Sequence, residues 1–214
     1  VEPVPAAAAS HSGGRVDMEL IVTGTGRCGT KFIAMVLTEL GYPCIVEKRF
    51  NYGGYSDDHK FTIPREASWM AAPVLDQVPA DTVVHLVRHP RLVISSMLQM
   101  GLFTDVNVIG YCNYAHEYLP GLNDCKNPLD KAAYMYLEWN KMIEGYADIL
   151  HRVEDRPEIL LDKLGINKPI GSFLEEYYRG RLLIQHELPI AEIGAEYRHP
   201  LLTMMGRYGY GSWS

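Results

Sequence analysis

Gly24, Gly26 and Gly29 fall within six consecutive positions, with Arg27 among them and Thr30 and Lys31 directly after. Glycines let a turn bring backbone N–H groups close to a ligand, and Arg, Lys and Thr add side-chain donors. Such a set of donors suits an oxyanion. A second set follows: Arg88 ends the apolar run 83–87, and Ser96 lies eight positions further on. A guanidinium grips an oxyanion through two parallel hydrogen bonds. Ser96, about two turns into a following helix, is placed to face back along the same groove.

The first set departs from the ATP-binding loop G-x-x-x-x-G-K-[ST]. Gly24 and Gly29 have that spacing, but Thr30 precedes Lys31. The usual order seats Lys on the β/γ-phosphates and the hydroxyl on magnesium. Magnesium-dependent phosphoryl transfer also expects an Asp at the end of a core strand, where this chain has Arg88. The residues point to a metal-free anion site that does not serve the β/γ end of ATP.

Such groups need a rigid frame. Residues 20–23 read as a strand and 30–40 as a helix, with Phe32, Ile33, Val36, Leu37 and Leu40 at core spacing and Gly41 as its stop. Residues 44–46 read as a second short strand. Residues 47–65 read as loop, because Asn51, Gly53, Gly54, Ser56, Asp57, Asp58 and Pro64 resist regular structure. A short helix is expected over 66–77, interrupted at Pro73. Residues 82–87 form a continuous apolar run suited to the middle of a parallel sheet. A helix over 90–100 follows, with Pro90 in its first turn.

Residues 101–126 show no clear period, which suggests a lid or binding segment. Asn127-Pro128 opens a long helix with a stripe of Tyr136, Trp139, Ile143, Tyr146 and Leu150. A fourth strand is expected over 152–154 and a helix over 156–164 ended by Gly165. Further short helices are expected over 172–178 and 201–208. Strands alternating with helices predict an α/β fold, three-layered, with a mostly parallel central sheet flanked by helices.

The chain has 214 residues, suited to one domain over 18–214. Residues 1–17, rich in Ala, Pro, Ser and Gly, read as a disordered leader or tag remnant, with Met18 the expected native start. The 47% hydrophobic and 21% charged content is that of an ordinary soluble globule. No run approaches the ~18 apolar residues of a membrane span. A net charge of −6 argues against general nucleic-acid binding, so any anion site must be local. Cys28, Cys44, Cys112 and Cys125 lack metal-ligand spacing, as do the eight His residues. Free thiols in a reducing compartment, hence a cytoplasmic protein, is the reading of the cysteines. The alternative is a Cys112–Cys125 pair in an exported one.

The segments 21–30, Ile-Val-Thr-Gly-Thr-Gly-Arg-Cys-Gly-Thr, and 86–96, Leu-Val-Arg-His-Pro-Arg-Leu-Val-Ile-Ser-Ser, together resemble the 5′-phosphosulfate loop and 3′-phosphate motif of the sulfotransferases. That family uses 3′-phosphoadenosine 5′-phosphosulfate (PAPS) as co-substrate. Weaker similarity continues through Ser68-Trp69, residues 136–140 and residues 202–210. The resemblance implies a P-loop nucleoside triphosphate hydrolase-like fold of the sulfotransferase type. It also implies sulfuryl transfer to an acceptor hydroxyl or amine by metal-free in-line displacement.

Arg27 takes the place of the loop's basic residue and, with Lys31, would stabilise charge on the departing 5′-phosphate. Cys28, Gly29, Thr30 and Lys31 would supply donors to the 5′ end, and Arg88 and Ser96 would hold the 3′-phosphate. Cys28 stands where Ser is common, and His89 where Asp is common. Glu47, directly after the second strand, is the candidate base, with His59 the runner-up; a solvated partner of Lys48 or Arg49 is the other reading of Glu47. Trp69 stacks on adenine or packs in the core. His85 and Trp139 read as core. His89 is a possible nucleotide contact, and Arg198, Arg207 and Tyr208 are candidates to close over the nucleotide.

The acceptor is a small molecule, carbohydrate or peptide. Lys48, Arg49, Lys60, Tyr52, Tyr55, Tyr111 and Tyr114 stand in the loops expected to shape its pocket. Two other readings remain: a small nucleotide or metabolite kinase, and a sulfotransferase-like protein that binds nucleotide without catalysis.

Overall fold

Strand β1 (Met18–Thr23) runs through the centre of a five-stranded sheet. The computed structural model describes residues 18–56, 62–104, 108–171 and 188–213. The other strands are β2 (Ile45–Val46), β3 (Phe50–Asn51), β4 (Gly54–Tyr55), β5 (Arg65–Ala67), β6 (Ala80–Val87) and β7 (Ile149–Arg152). The sheet order is β2-β5-β1-β6-β7, and all four pairings are parallel. Strands β3 and β4 form a separate antiparallel hairpin. The helices are α1 (Thr30–Glu39), α2 (Pro90–Gln99), α3 (Ile109–Tyr118), α4 (Pro128–Glu144), α5 (Pro157–Lys163) and α6 (Ala195–Arg207).

Side chains alternate across a strand, so β1 and β6 feed two cores. Leu20, Val22, Val84 and Leu86 meet Phe32, Ile33, Val36 and Leu37 of α1 and Leu160 and Leu161 of α5. Ile21, Val83 and Val87 meet Met97 of α2, Tyr136, Trp139 and Ile143 of α4, and Leu201 and Met204 of α6. The result is helices, sheet, helices, in three layers. Burying each such side chain stabilises the fold by roughly 1.5–3 kcal/mol.

Several expectations need correction. Residues 65–67 are not the end of a loop and the start of a helix but strand β5, seated between β2 and β1. The helical stretch that follows is a 3-10 helix, Trp69–Gln77, which contains Pro73 and is capped by the Ser68 side chain. Residues 101–126 are not irregular, because α3 and a 3-10 turn (Pro120–Asn123) lie within them. Tyr146 and Leu150 are exposed rather than part of the α4 stripe, since α4 stops at Glu144 and Leu150 belongs to β7. The last strand is 149–152, earlier than expected. The final helix begins at Ala195, earlier than expected, and carries Pro200 inside it. The helix expected over 172–178 and the segment 1–17 lie outside the described residues.

The sheet order places the site. From β1 the chain passes through α1 to β2 at one edge, and from β6 it passes through α2 and α4 to β7 at the other. The connections leave in opposite directions, so a crevice opens at the carboxyl ends of β1 and β6. Ligands bind α/β sheets at such switch points.

Candidate anion-binding cleft

A cleft of about 780 Å³ opens there. Arg27, Cys28, Gly29, Thr30, Lys31, Glu47, Arg88 and Ser96 all line it. Segments far apart in the chain are thereby gathered around one space.

The loop after β1 is shaped by close approach. A Cβ on Gly24 would lie 2.1 Å from the Leu86 carbonyl oxygen, so only Gly lets this turn pack on β6. Gly29, with φ +102°, is the N-cap of α1, and no side chain caps that helix. The positive dipole end of α1, whose Thr30 and Lys31 line the cleft, therefore faces it with no capping side chain. Arg27 adopts φ +76°, a left-handed conformation that costs a non-glycine residue energy.

Cys28 contributes less than its place suggested. Its N–H donates to the Thr25 carbonyl at 3.0 Å, and its side chain is buried. Burial pushes the thiol up to about 12, so it remains protonated near neutral pH. It offers a ligand neither a free amide nor a thiolate.

The two basic motifs touch each other. Arg27 Nε donates to Ser96 Oγ at 3.0 Å, and Arg88 Nη1 donates to the Arg27 carbonyl at 3.2 Å. Arg88 Nε is buried and has no partner among the described residues. Neither Arg27, Lys31 nor Arg88 forms a salt bridge among the described residues. Three cationic side chains and one carboxylate thus line the cleft of an acidic chain. Burial lowers the Arg88 pKa, against the pull of Glu154, but a guanidinium stays charged.

Arg88 is held by its backbone. The Tyr136 hydroxyl donates to the Arg88 carbonyl at 2.9 Å, and the His89 N–H donates to Glu154 Oε1 at 2.8 Å. His89 Nδ1 accepts from the Arg91 N–H at 3.2 Å, which makes Nε2 the protonated nitrogen and donor to the Ser212 carbonyl at 2.8 Å. His89 is a cap that ties the C-terminal segment to the motif, and it does not line the cleft.

Glu47 sits at the mouth with φ +52°. The residues after it are anchored by the Glu66 carboxylate, which accepts from the N–H groups of Lys48 (2.7 Å), Arg49 (3.0 Å) and Phe50 (3.2 Å). Partial desolvation raises the Glu47 pKa, and the Lys31 charge opposes it. Arg49 is buried and Glu47 forms no salt bridge among the described residues. His59 and Lys60 lie outside the described residues.

Trp69 is buried; its ring stacks on Tyr111 with centroids 4.0 Å apart and tilts against Trp139 at 5.2 Å. Trp139 is fully buried. His85 is buried with Nε2 2.8 Å from Asn140 Oδ1, a satisfied core histidine. Tyr52 and Tyr111 line the cleft, whereas Tyr55, Tyr114, Lys48 and Arg49 do not. Arg207 and Tyr208 bind Glu144 instead of the cleft, at 2.9 and 2.7 Å. Arg198 donates to the carbonyls of Ile193 and Ala191, both at 2.7 Å.

Leu92, Gln99 and Met100 also line the cleft and were missed. Helical spacing from Ser96 carries the signal, because positions 92, 96, 99 and 100 share one face of α2. All four cysteines are free. Among the described residues no group of three or more His, Cys, Asp or Glu could hold a metal, and no helix is long and apolar enough to cross a membrane. No protein-family model, curated protein or solved structure matches the chain.

Proposed function

We propose that this chain is a sulfotransferase that takes PAPS as donor and passes its sulfuryl group to an acceptor hydroxyl or amine. The observation that carries the reading is the junction of the two motifs at the switch point, where Arg27 meets Ser96 and Arg88 meets Arg27. A ligand with an anionic group at each end fits two adjoining sets of donors. Arg88 lines the cleft and forms no salt bridge among the described residues, and a guanidinium so placed gains from a charged acceptor.

The donor supplies a sulfuryl group joined to a good leaving phosphate. Arg88 and Ser96 bind the 3′-phosphate side. Gly29, Thr30 and Lys31 bind the 5′ side through α1 N–H groups and the Lys31 ammonium. Arg27 and Lys31 offset charge as the bond from sulfur to the 5′-phosphate oxygen breaks. Glu47 takes the acceptor proton as the new bond to sulfur forms. Positioning and charge stabilisation do most of the work, as in phosphoryl transfer. Lys31 follows Thr30 and Arg88 replaces a strand-ending Asp, so the residues themselves offer no magnesium seat of the ATPase kind. The mix of Phe32, Val46, Tyr52, Gln99 and Met100 along the cleft suits an acceptor with an apolar or aromatic part beside its hydroxyl or amine.

Calorimetry tests the reading. Adenosine 3′,5′-bisphosphate should bind in EDTA, and Arg88→Ala should weaken it about 10–100-fold, as expected for lost hydrogen bonds to a charged group. Magnesium-dependent ATP binding with indifference to the bisphosphate would overturn it in favour of a small kinase. Donor binding without transfer to any of a panel of phenols, sugars, amines and peptides would assign binding without catalysis.

A further inference from the structure

Two peptide units flank the Cα of Arg88, and both are tied to the structure. The unit before it carries the Val87 carbonyl, which accepts from the Val153 N–H at 2.8 Å and closes the ladder between β6 and β7. The unit after it joins Arg88 to His89 and is held by two side chains instead. Its carbonyl accepts from the Tyr136 hydroxyl at 2.9 Å, and its N–H donates to Glu154 Oε1 at 2.8 Å. A peptide unit is planar, so a bond on each side fixes its orientation. With both planes fixed, so is the direction in which the Arg88 side chain leaves the strand end.

Glu154 is itself held, for its Oε2 accepts from the Tyr210 hydroxyl at 2.6 Å. Tyr210 belongs to the segment 209–213, which docks on the same two strand ends. Arg152 Nη1 donates to the Gly209 carbonyl at 2.6 Å, and His89 Nε2 donates to the Ser212 carbonyl at 2.8 Å. The Tyr210 ring packs edge-on against His89, with centroids 5.1 Å apart, and faces the Arg152 guanidinium at 5.5 Å. Glu154 forms no salt bridge among the described residues, so its two oxygens serve the His89 N–H and Tyr210.

We propose that Glu154, held by Tyr210, is a positioning residue that aims Arg88 into the cleft. The inference rests on the sulfotransferase reading, in which Arg88 binds the 3′-phosphate of the donor. Charge and position act in opposite directions here. A carboxylate beside an anion site repels the anion, so on charge alone its removal should tighten binding. As an anchor its removal should loosen binding, because a displaced guanidinium loses hydrogen bonds to a charged group. The sign of the change therefore separates the two roles.

The test is a double-mutant cycle read by calorimetry with adenosine 3′,5′-bisphosphate. Glu154→Ala should bind it about tenfold more weakly than wild type, the effect of one lost hydrogen bond to a charged group. Glu154→Gln keeps an acceptor for the His89 N–H and should bind as tightly as wild type or more so. In an Arg88→Ala background, Glu154→Ala should cause no further weakening, since the group it positions is gone. Tyr210→Phe keeps the ring and loses only the hydroxyl on Glu154. It should weaken binding about threefold, again only where Arg88 is present, and it carries the cycle if Glu154→Ala fails to fold. Unchanged or tighter binding in Glu154→Ala would overturn this inference alone. Equal weakening in the two backgrounds would mark a general structural role and overturn it too, as would a loss in Glu154→Gln as large as in Glu154→Ala. A wild-type protein that does not bind the bisphosphate would overturn the sulfotransferase reading and this inference with it.

Discussion

A carboxyl that must accept a proton works only above its own pKa, and two opposing influences set that value for Glu47. Partial burial raises it and Lys31 lowers it. The active form is the deprotonated one, so turnover should fall as pH drops through the raised pKa. The acid limb of a pH–rate profile should therefore lie at higher pH than an ordinary Glu would give. Lys31→Met removes the opposing charge and should move that limb to higher pH. Glu47→Gln should cost about 10²–10⁴ in turnover, the usual worth of a general base, while bisphosphate affinity holds. An unmoved limb and full turnover in Glu47→Gln would shift the role elsewhere, first to His59. Eight of the residues that line the cleft were legible in the sequence because glycine spacing, a strand end and a helical offset are local features. That Cys28 faces inward was not, since its burial depends on the approach of β6.

Elements hold these residues by close contacts that have definite costs. Gly24→Ala places a methyl 2.1 Å from the Leu86 carbonyl and must push β1 and β6 apart. Chemical denaturation should show a loss of about 1–3 kcal/mol, the usual cost of overpacking, or more because backbone resists the shift. Glu66→Ala should be at least as harmful, for it strands the N–H groups of Lys48, Arg49 and Phe50. Its transfer activity should fall as well, because the segment that carries Glu47 loses its anchor. Strand β5 escaped the sequence reading for the same reason that it matters. Arg65 and Glu66 break the apolar pattern of a buried strand, and only their partners explain them. Arg65 pairs with Glu19 at 2.6 Å, and Glu66 serves three amides. Helix α3 escaped the sequence reading: Tyr111, Tyr114, Ala115 and Tyr118 have helical spacing, but Gly110 and Asn113 obscured it.

Across the molecule, acid should act on the far side of the sheet from α4. His151 of β7 is buried at 2% exposure, and neither ring nitrogen has a partner among the described residues. Burial pushes its imidazole down to about 4 from the ordinary 6.5, with Asp155 pulling upward and Lys163 and Arg152 downward. Between those values the unfolded chain binds more protons than the folded one, so stability rises with pH. It should fall as pH drops from about 6.5 through 4, by at most about 3 kcal/mol from the size of the shift. His151→Leu should flatten that part of a plot of thermal midpoint against pH; an unchanged slope would assign the loss to other groups.

The sequence by itself determined the donor types in the two motifs, the α/β alternation and most helix limits. Each is written in residues within a turn or two of one another, where periodicity and turn preference act. Tertiary structure alone decided that β5 enters the sheet beside β1 and that Tyr111 is aimed at Gly26. It also decided that Arg27 reaches Ser96, 69 positions away. Contacts at that separation arise from which faces can be buried together across the whole sheet, and no local pattern encodes that choice.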